Sequence, residues 1–232
     1  CASTIDGCVR SLLPSEMCDQ IYAIEADTGE RVSHVVVMGM GEPLDNYENL
    51  LKFLALISDE KGANLSHRNI TVSTCGLVPA IRRLADERLQ ITLALSLHAP
   101  TQKKREELMP IARRYDLYET MDALRYYFDR THRRISFEYA LICGQNDSDS
   151  DAGKLCRLLG GFPGHVNLIP VNPVDGKEQK PGEKADIERF RAKLAKNSIN
   201  VTIRRAMGRD IDGACGQLRR RTDAILRQDG SG

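Results

Sequence analysis

Several absences narrow what this sequence of 232 residues can do. Its 33 Lys+Arg are balanced by 32 Asp+Glu, a formal charge of +1, so no global positive field marks a nucleic-acid partner and any RNA site has to be a local basic patch. No apolar run reaches the roughly 20 residues that a membrane-spanning helix needs. The first residues lack the basic-then-apolar layout of a signal peptide, which points to the cytoplasm. There is no internal CxxC. The seven cysteines, Cys1, Cys8, Cys18, Cys75, Cys143, Cys156 and Cys215, form an odd, uneven set that suits free thiols better than a disulfide framework or a self-contained zinc site. The chain opens on cysteine rather than methionine, so it is expected to be a piece of a longer protein. No repeat, low-complexity tract or linker divides it, and 41% hydrophobic residues can fill one substantial core.

What is present is an alternation. Short β-branched or apolar runs at 34–38, 70–74, 91–97, 135–142, 166–171 and 199–203 predict six strands. Between the first two, Leu50, Leu51, Leu54 and Ile57 recur at helical spacing, and further helices are expected near 78–87, 119–130, 150–159, 184–196 and 212–226. Strands alternating with helices give βα units and a parallel sheet, whose ligand sits at the carboxyl ends of the strands. The residues expected there are GMGEPL at 39–44, STCG at 73–76, Ser96-Leu97-His98, 167–172 and Gly208-Arg209-Asp210.

Each motif has a plain reading beside a functional one. GMGEPL lacks the third glycine of a dinucleotide fingerprint, because Leu44 stands there. Glu42 after a glycine-flexed turn instead offers a carboxylate acceptor for a cationic amino group, or it belongs to an ordinary strand-to-helix turn. Asp147, Asp149 and Asp151 alternate like a calcium loop, but Ala152 and Leu158 replace the turn glycine and the bidentate Glu, which leaves a solvated loop capping the next helix. His98 is a ligand contact or a hydrogen-bonded structural histidine. Cys215 lies near the start of a helix with small neighbours, an accessible thiol rather than a core one.

Taken in order, Cys1-Ala2-Ser3-Thr4, GMGEPLDN at 39–46, STCG at 73–76, SLHAP at 96–100, NLIPVNP at 167–173 and DIDGACGQL at 210–218 closely resemble the RlmN/Cfr family of radical S-adenosylmethionine (SAM) enzymes, over essentially the whole chain. The resemblance implies a partial (β/α)6 barrel with a parallel sheet, its first strand and cluster loop mostly missing, and residues 1–232 as one catalytic domain. An N-terminal RNA-binding domain and two further cluster cysteines would precede it. It implies a [4Fe-4S] cluster with Cys1 as one ligand, so this chain alone would hold no cluster. SAM would be bound by Gly41, Glu42, Ser73, Ser96, Leu97, His98 and Asn172, with Glu42 accepting from the methionine amino group. Cys215 would carry the methyl group before carbon 2 of an adenine receives it, because that carbon is not nucleophilic and needs radical chemistry. The implied partners are 23S rRNA, tRNA and an electron donor such as flavodoxin, the implied state a monomer, with no membrane.

Pro43 matches the carbon-2 type better than the carbon-8 (Cfr) type, which is the nearest alternative. An RNA-binding module using Lys103-Lys104-Arg105, Arg113-Arg114 and Arg219-Arg220-Arg221 would not need the strand-end set. An aldolase or isomerase barrel would want a strand-end lysine or paired carboxylates, and no such lysine is present.

Overall fold

The computed structural model describes residues 10–38, 41–171 and 183–204. Among them the strands are β1 (Val35–Val37), β2 (Ile70–Thr74), β3 (Thr92–Ser96), β4 (Ile135–Leu141), β5 (Gly164–Pro170) and β6 (Val201–Ile203). The helices are α1 (Pro14–Thr28), α2 (Tyr47–Ser58), α3 (Val78–Asp86), α4 (Gln102–Leu108), α5 (Leu117–Thr131), α6 (Asp149–Leu159) and α7 (Lys184–Lys196). The strands make one sheet in the order β1-β2-β3-β4-β5-β6, every neighbouring pair parallel. With right-handed crossovers, a sheet ordered as the chain runs carries its connecting helices on one face and leaves the other as the inside of a partial barrel. This is the α/β class with parallel pairing that the alternation predicts.

The two faces differ in chemistry. Leu93, Leu95, Phe137, Tyr139, Val166 and Leu168 are at most 1% exposed and face the helices. There Tyr139 packs on Phe190 of α7 with ring centroids 5.5 Å apart. On the inner face the register aligns Ser73, Ala94, Ser136 and His165 in one row and Ser96, Glu138, Asn167 and Thr202 in the next. Alternation with period two therefore separates an apolar outer layer from an inner face of small and polar side chains.

Two helices carry no apolar stripe to announce them: α1 buries only Cys18 and Ile21, and α4 buries only Arg105. The 147–151 segment departs from a solvated loop. Ser148 caps α6 by accepting from the Asp151 N–H at 3.1 Å, but Asp151 itself is buried and meets Lys104 Nζ at 2.7 Å. The expected helix at 212–226 lies outside the described residues.

Candidate functional site

The segment after β1 is set by a glycine and a proline. Gly41 has φ +94°, a conformation open to glycine, and Pro43 opens a 3-10 turn over Pro43–Asn46. Between them Glu42 caps that turn, its Oε1 accepting from the Leu44 N–H at 3.0 Å. Its Oε2 accepts from the Cys75 N–H, just past β2, at 2.7 Å. The carboxylate is thus clamped between the ends of two strands while staying partly exposed. Burial, and the Glu42 carboxylate beside it, push the Cys75 thiol well above its ordinary range, so it stays protonated.

Ser73 lies within β2 rather than after it, buried on the inner face, and Ser96 is the last residue of β3. Asn167, read from sequence as the start of a strand-end segment, also lies inside its strand, in β5. Leu97 is fully buried; its N–H donates to the Glu138 carbonyl at 3.0 Å and its carbonyl accepts from the Ala99 N–H at 2.7 Å. Leu97 therefore shapes a site more than it offers polar groups to one.

His98 adopts a left-handed backbone, φ +54°. Asn146, fully buried, holds it there: its Nδ2 donates to the carbonyls of His98 and Ala140, each at 2.7 Å, and its Oδ1 accepts from the Ile142 N–H at 2.7 Å. The imidazole Nδ1 accepts from the Ala140 N–H at 3.0 Å, which leaves the proton of the neutral ring on Nε2. Burial and then the Arg105 charge press its pKa down to about 4, so the ring is a neutral donor at ordinary pH.

Below these segments on the inner face lies Glu138, 5% exposed, which accepts from Ser136 Oγ at 3.0 Å and from Asn167 Nδ2 at 2.9 Å. Burial raises its pKa. Sequence reasoning passed over Glu138, Asn146 and Arg105. The first sits in an apolar-looking strand and the second in a turn; the third falls in a run of basic residues. That run is not a phosphate surface, since Arg105 is fully buried and Lys104 is committed to Asp151 and to the Gln145 carbonyl at 2.6 Å.

Gly41, Glu42, Ser73, Ser96, Leu97 and His98 thus gather around the carboxyl ends of β1 to β3, and Arg105 bonds to the carbonyls of both Cys75 and Ser96. Cys1, Asn172 and Cys215 lie outside the described residues. Among the described residues, no group of three or more His, Cys, Asp or Glu side chains could hold a metal ion.

A parallel sheet wound in chain order, with a clamped carboxylate, hydroxyls and a neutral imidazole where its first strands end, defines a partial α/β barrel, a class in which ligands sit at the carboxyl ends of the strands. The family model of the Radical SAM superfamily matches residues 13–156, and the chain belongs to that superfamily. Curated relatives called "Probable dual-specificity RNA methyltransferase RlmN" are 60% identical over 219 residues in Lachnospira eligens and 55% identical over 226 residues in Desulforamulus reducens. These matches take in 94% and 97% of this chain and 63% and 64% of the relatives. The crystal structure of a radical SAM methyltransferase from Sphaerobacter thermophilus aligns with a TM-score of 0.90 at 44% identity, covering 94% of this chain and 64% of that one. The chain spans a little under two thirds of the length of these proteins.

Proposed function

We propose that this chain is the catalytic barrel of an RNA methyltransferase that uses SAM and a [4Fe-4S] cluster to methylate carbon 2 of an adenine in 23S rRNA and in tRNA. The observation that carries this reading is the 60% identity, spread over 94% of the chain, to a relative named for dual-specificity RNA methylation. Relatives of the RlmN name also favour carbon 2 over carbon 8. A cytoplasmic monomer reduced by a flavodoxin-like donor belongs to the same reading. Among the described residues no helix is long and apolar enough to cross a membrane.

The residues on the inner face suit SAM. Each Glu42 oxygen accepts one backbone N–H and keeps lone-pair capacity for an ammonium group. Ser73, Ala94, Ser96 and Ser136 are small and adjacent on the inner face, and the Nε2–H of His98 supplies a fixed donor. Asn172 completes the set, and Cys1 is a cluster ligand. When bound, the cluster and SAM supply the radical chemistry that an unactivated aromatic carbon requires. The chain's own part is to orient SAM by its amino end through Glu42, to keep the site's polar groups in fixed protonation states, and to present the Cys215 thiol as the methyl carrier.

In the full-length enzyme, Cys215→Ala should still bind SAM while transferring no methyl group to adenine, and mass spectrometry of the wild type should find one added methyl on the peptide containing Cys215. An unmodified peptide, together with 2-methyladenosine made by Cys215→Ala, would overturn the assignment.

A further inference from the structure

Arg105 heads the fully buried side chains by volume, and none of the ion pairs among the described residues involves it. Its Nη2 donates to the Cys75 carbonyl at 2.6 Å and, more weakly, to the Ser96 carbonyl at 3.4 Å, while Nε and Nη1 have no partner among the described residues. A guanidinium sunk without a counter-charge costs stability, and an apolar side chain of similar volume would cost less. Its presence at this position therefore calls for a reason other than stability.

We propose that Arg105 is a positioning residue for this site: from the helix side of the sheet it ties the carbonyls that end β2 and β3, and so holds the Glu42 clamp in register with residues 96–98. The naming of SAM as the ligand rests on the reading above; the tie itself does not. The backbone of Cys75 is gripped from both ends, its N–H by the Glu42 carboxylate and its carbonyl by Arg105, each a charge-assisted bond. Arg105 reaches it because the next residue is Gly76, φ +107°, where a Cβ would stand 3.2 Å from Nη2 and 3.3 Å from Thr120 Cγ2. The second anchored carbonyl belongs to Ser96, after which the N–H groups of Leu97 and His98 both bond to the Glu138 carbonyl. The cation is also close enough to His98 to disfavour its protonation. A lysine keeps the charge but carries it as a freely rotating ammonium on a flexible stem, without the rigid guanidinium plane that sets Nη2 against both carbonyls.

The test uses this chain without ligand, comparing wild type, Arg105→Met and Arg105→Lys by amide hydrogen exchange and by NMR titration of His98. Arg105→Met should speed exchange of the Cys75 amide at least about tenfold relative to the Val72 and Leu93 amides deeper in the sheet, and should move the His98 midpoint upward. Arg105→Lys should leave the His98 midpoint near that of the wild type while the Cys75 amide still exchanges faster. A general structural role would raise exchange equally across β2 and β3, and that result, or an unchanged Cys75 amide in either folded variant, overturns the proposal. If Arg105→Met does not fold, the Cys75 amide in Arg105→Lys decides alone. Equilibrium dialysis of the wild type with SAM is read separately: no binding would remove the ligand's identity and leave the tie standing.

Discussion

Both oxygens of Glu42 are already occupied by backbone N–H groups, and this makes its charge hard to replace. In Glu42→Gln one of the two positions must present an NH2 group to a backbone N–H, so one donor loses its acceptor at the same time as the anion disappears. Hydrogen bonds to charged groups contribute about 1.5–3 kcal/mol each, so the variant should lose stability on that scale and bind SAM at least about tenfold more weakly. Calorimetry and equilibrium dialysis measure the two effects; SAM affinity equal to wild type would show that Glu42 only braces the turn. His98 gives a pH signature instead. Its folded pKa of about 4 lies below the ordinary 6.5, so between those values the unfolded chain binds a proton that the folded chain does not, and stability falls as pH drops from about 6.5 to about 4. The loss is at most about 3 kcal/mol at 1.36 kcal/mol per unit. The low pKa of Asp151, paired with Lys104, acts in the same sense, and the raised pKa of Glu138 in the opposite one. The difference between wild type and His98→Asn isolates the imidazole, because Asn tolerates the left-handed backbone. Urea denaturation at pH 4.5 and pH 7 should show a smaller fall in the variant, and equal falls would exclude a neutral buried imidazole.

Among the elements, the pairing of β4 with β5 depends on one glycine. Gly164 opens β5 opposite Ile135, and a Cβ there would lie 2.5 Å from Cε2 of Phe137, a ring 1% exposed and packed edge-on against Phe162. Gly164→Ala must displace a buried aromatic ring, so it should cost about 1–3 kcal/mol, while the site at the opposite ends of the strands keeps its His98 titration. A variant as stable as wild type would mean that the ring moves freely. The same elements show what the sequence makes legible. Strands β2 to β5 were readable because their apolar runs face packed helices, and α2, α3 and α5 because each carries an apolar stripe. Helix α4 was not, because it has no such stripe and buries a guanidinium. At the site, Ser73, expected after β2, lies inside it, whereas Glu42, Ser96 and His98 were legible as polar residues near strand ends. Glu138 and Asn146 were not, since a carboxylate on the inner face of a strand and an amide bridging three backbone groups depend on partners that only the tertiary fold brings near.

At the scale of the whole molecule, the sheet buries its apolar outer face under helices and keeps small and polar groups on its inner face, so ligand and fold are coupled. A ligand that binds only the folded chain at one hundred times its dissociation constant adds about 2.7 kcal/mol, which for a domain of this size raises Tm by roughly 5–10 °C. SAM should therefore raise the Tm of the wild-type chain by an amount that grows logarithmically with its concentration. Gly164→Ala, far from the mouth, should start from a lower Tm and show the same increment. Glu42→Gln, at the same SAM concentrations, should show an increment smaller by at least the about 1.4 kcal/mol that a tenfold loss of affinity represents. Differential scanning calorimetry across a SAM series measures all three. If Glu42→Gln is stabilised as much as the wild type while Gly164→Ala is not, the ligand sits away from the carboxyl ends of β1 to β3, and the site described here is not where SAM binds.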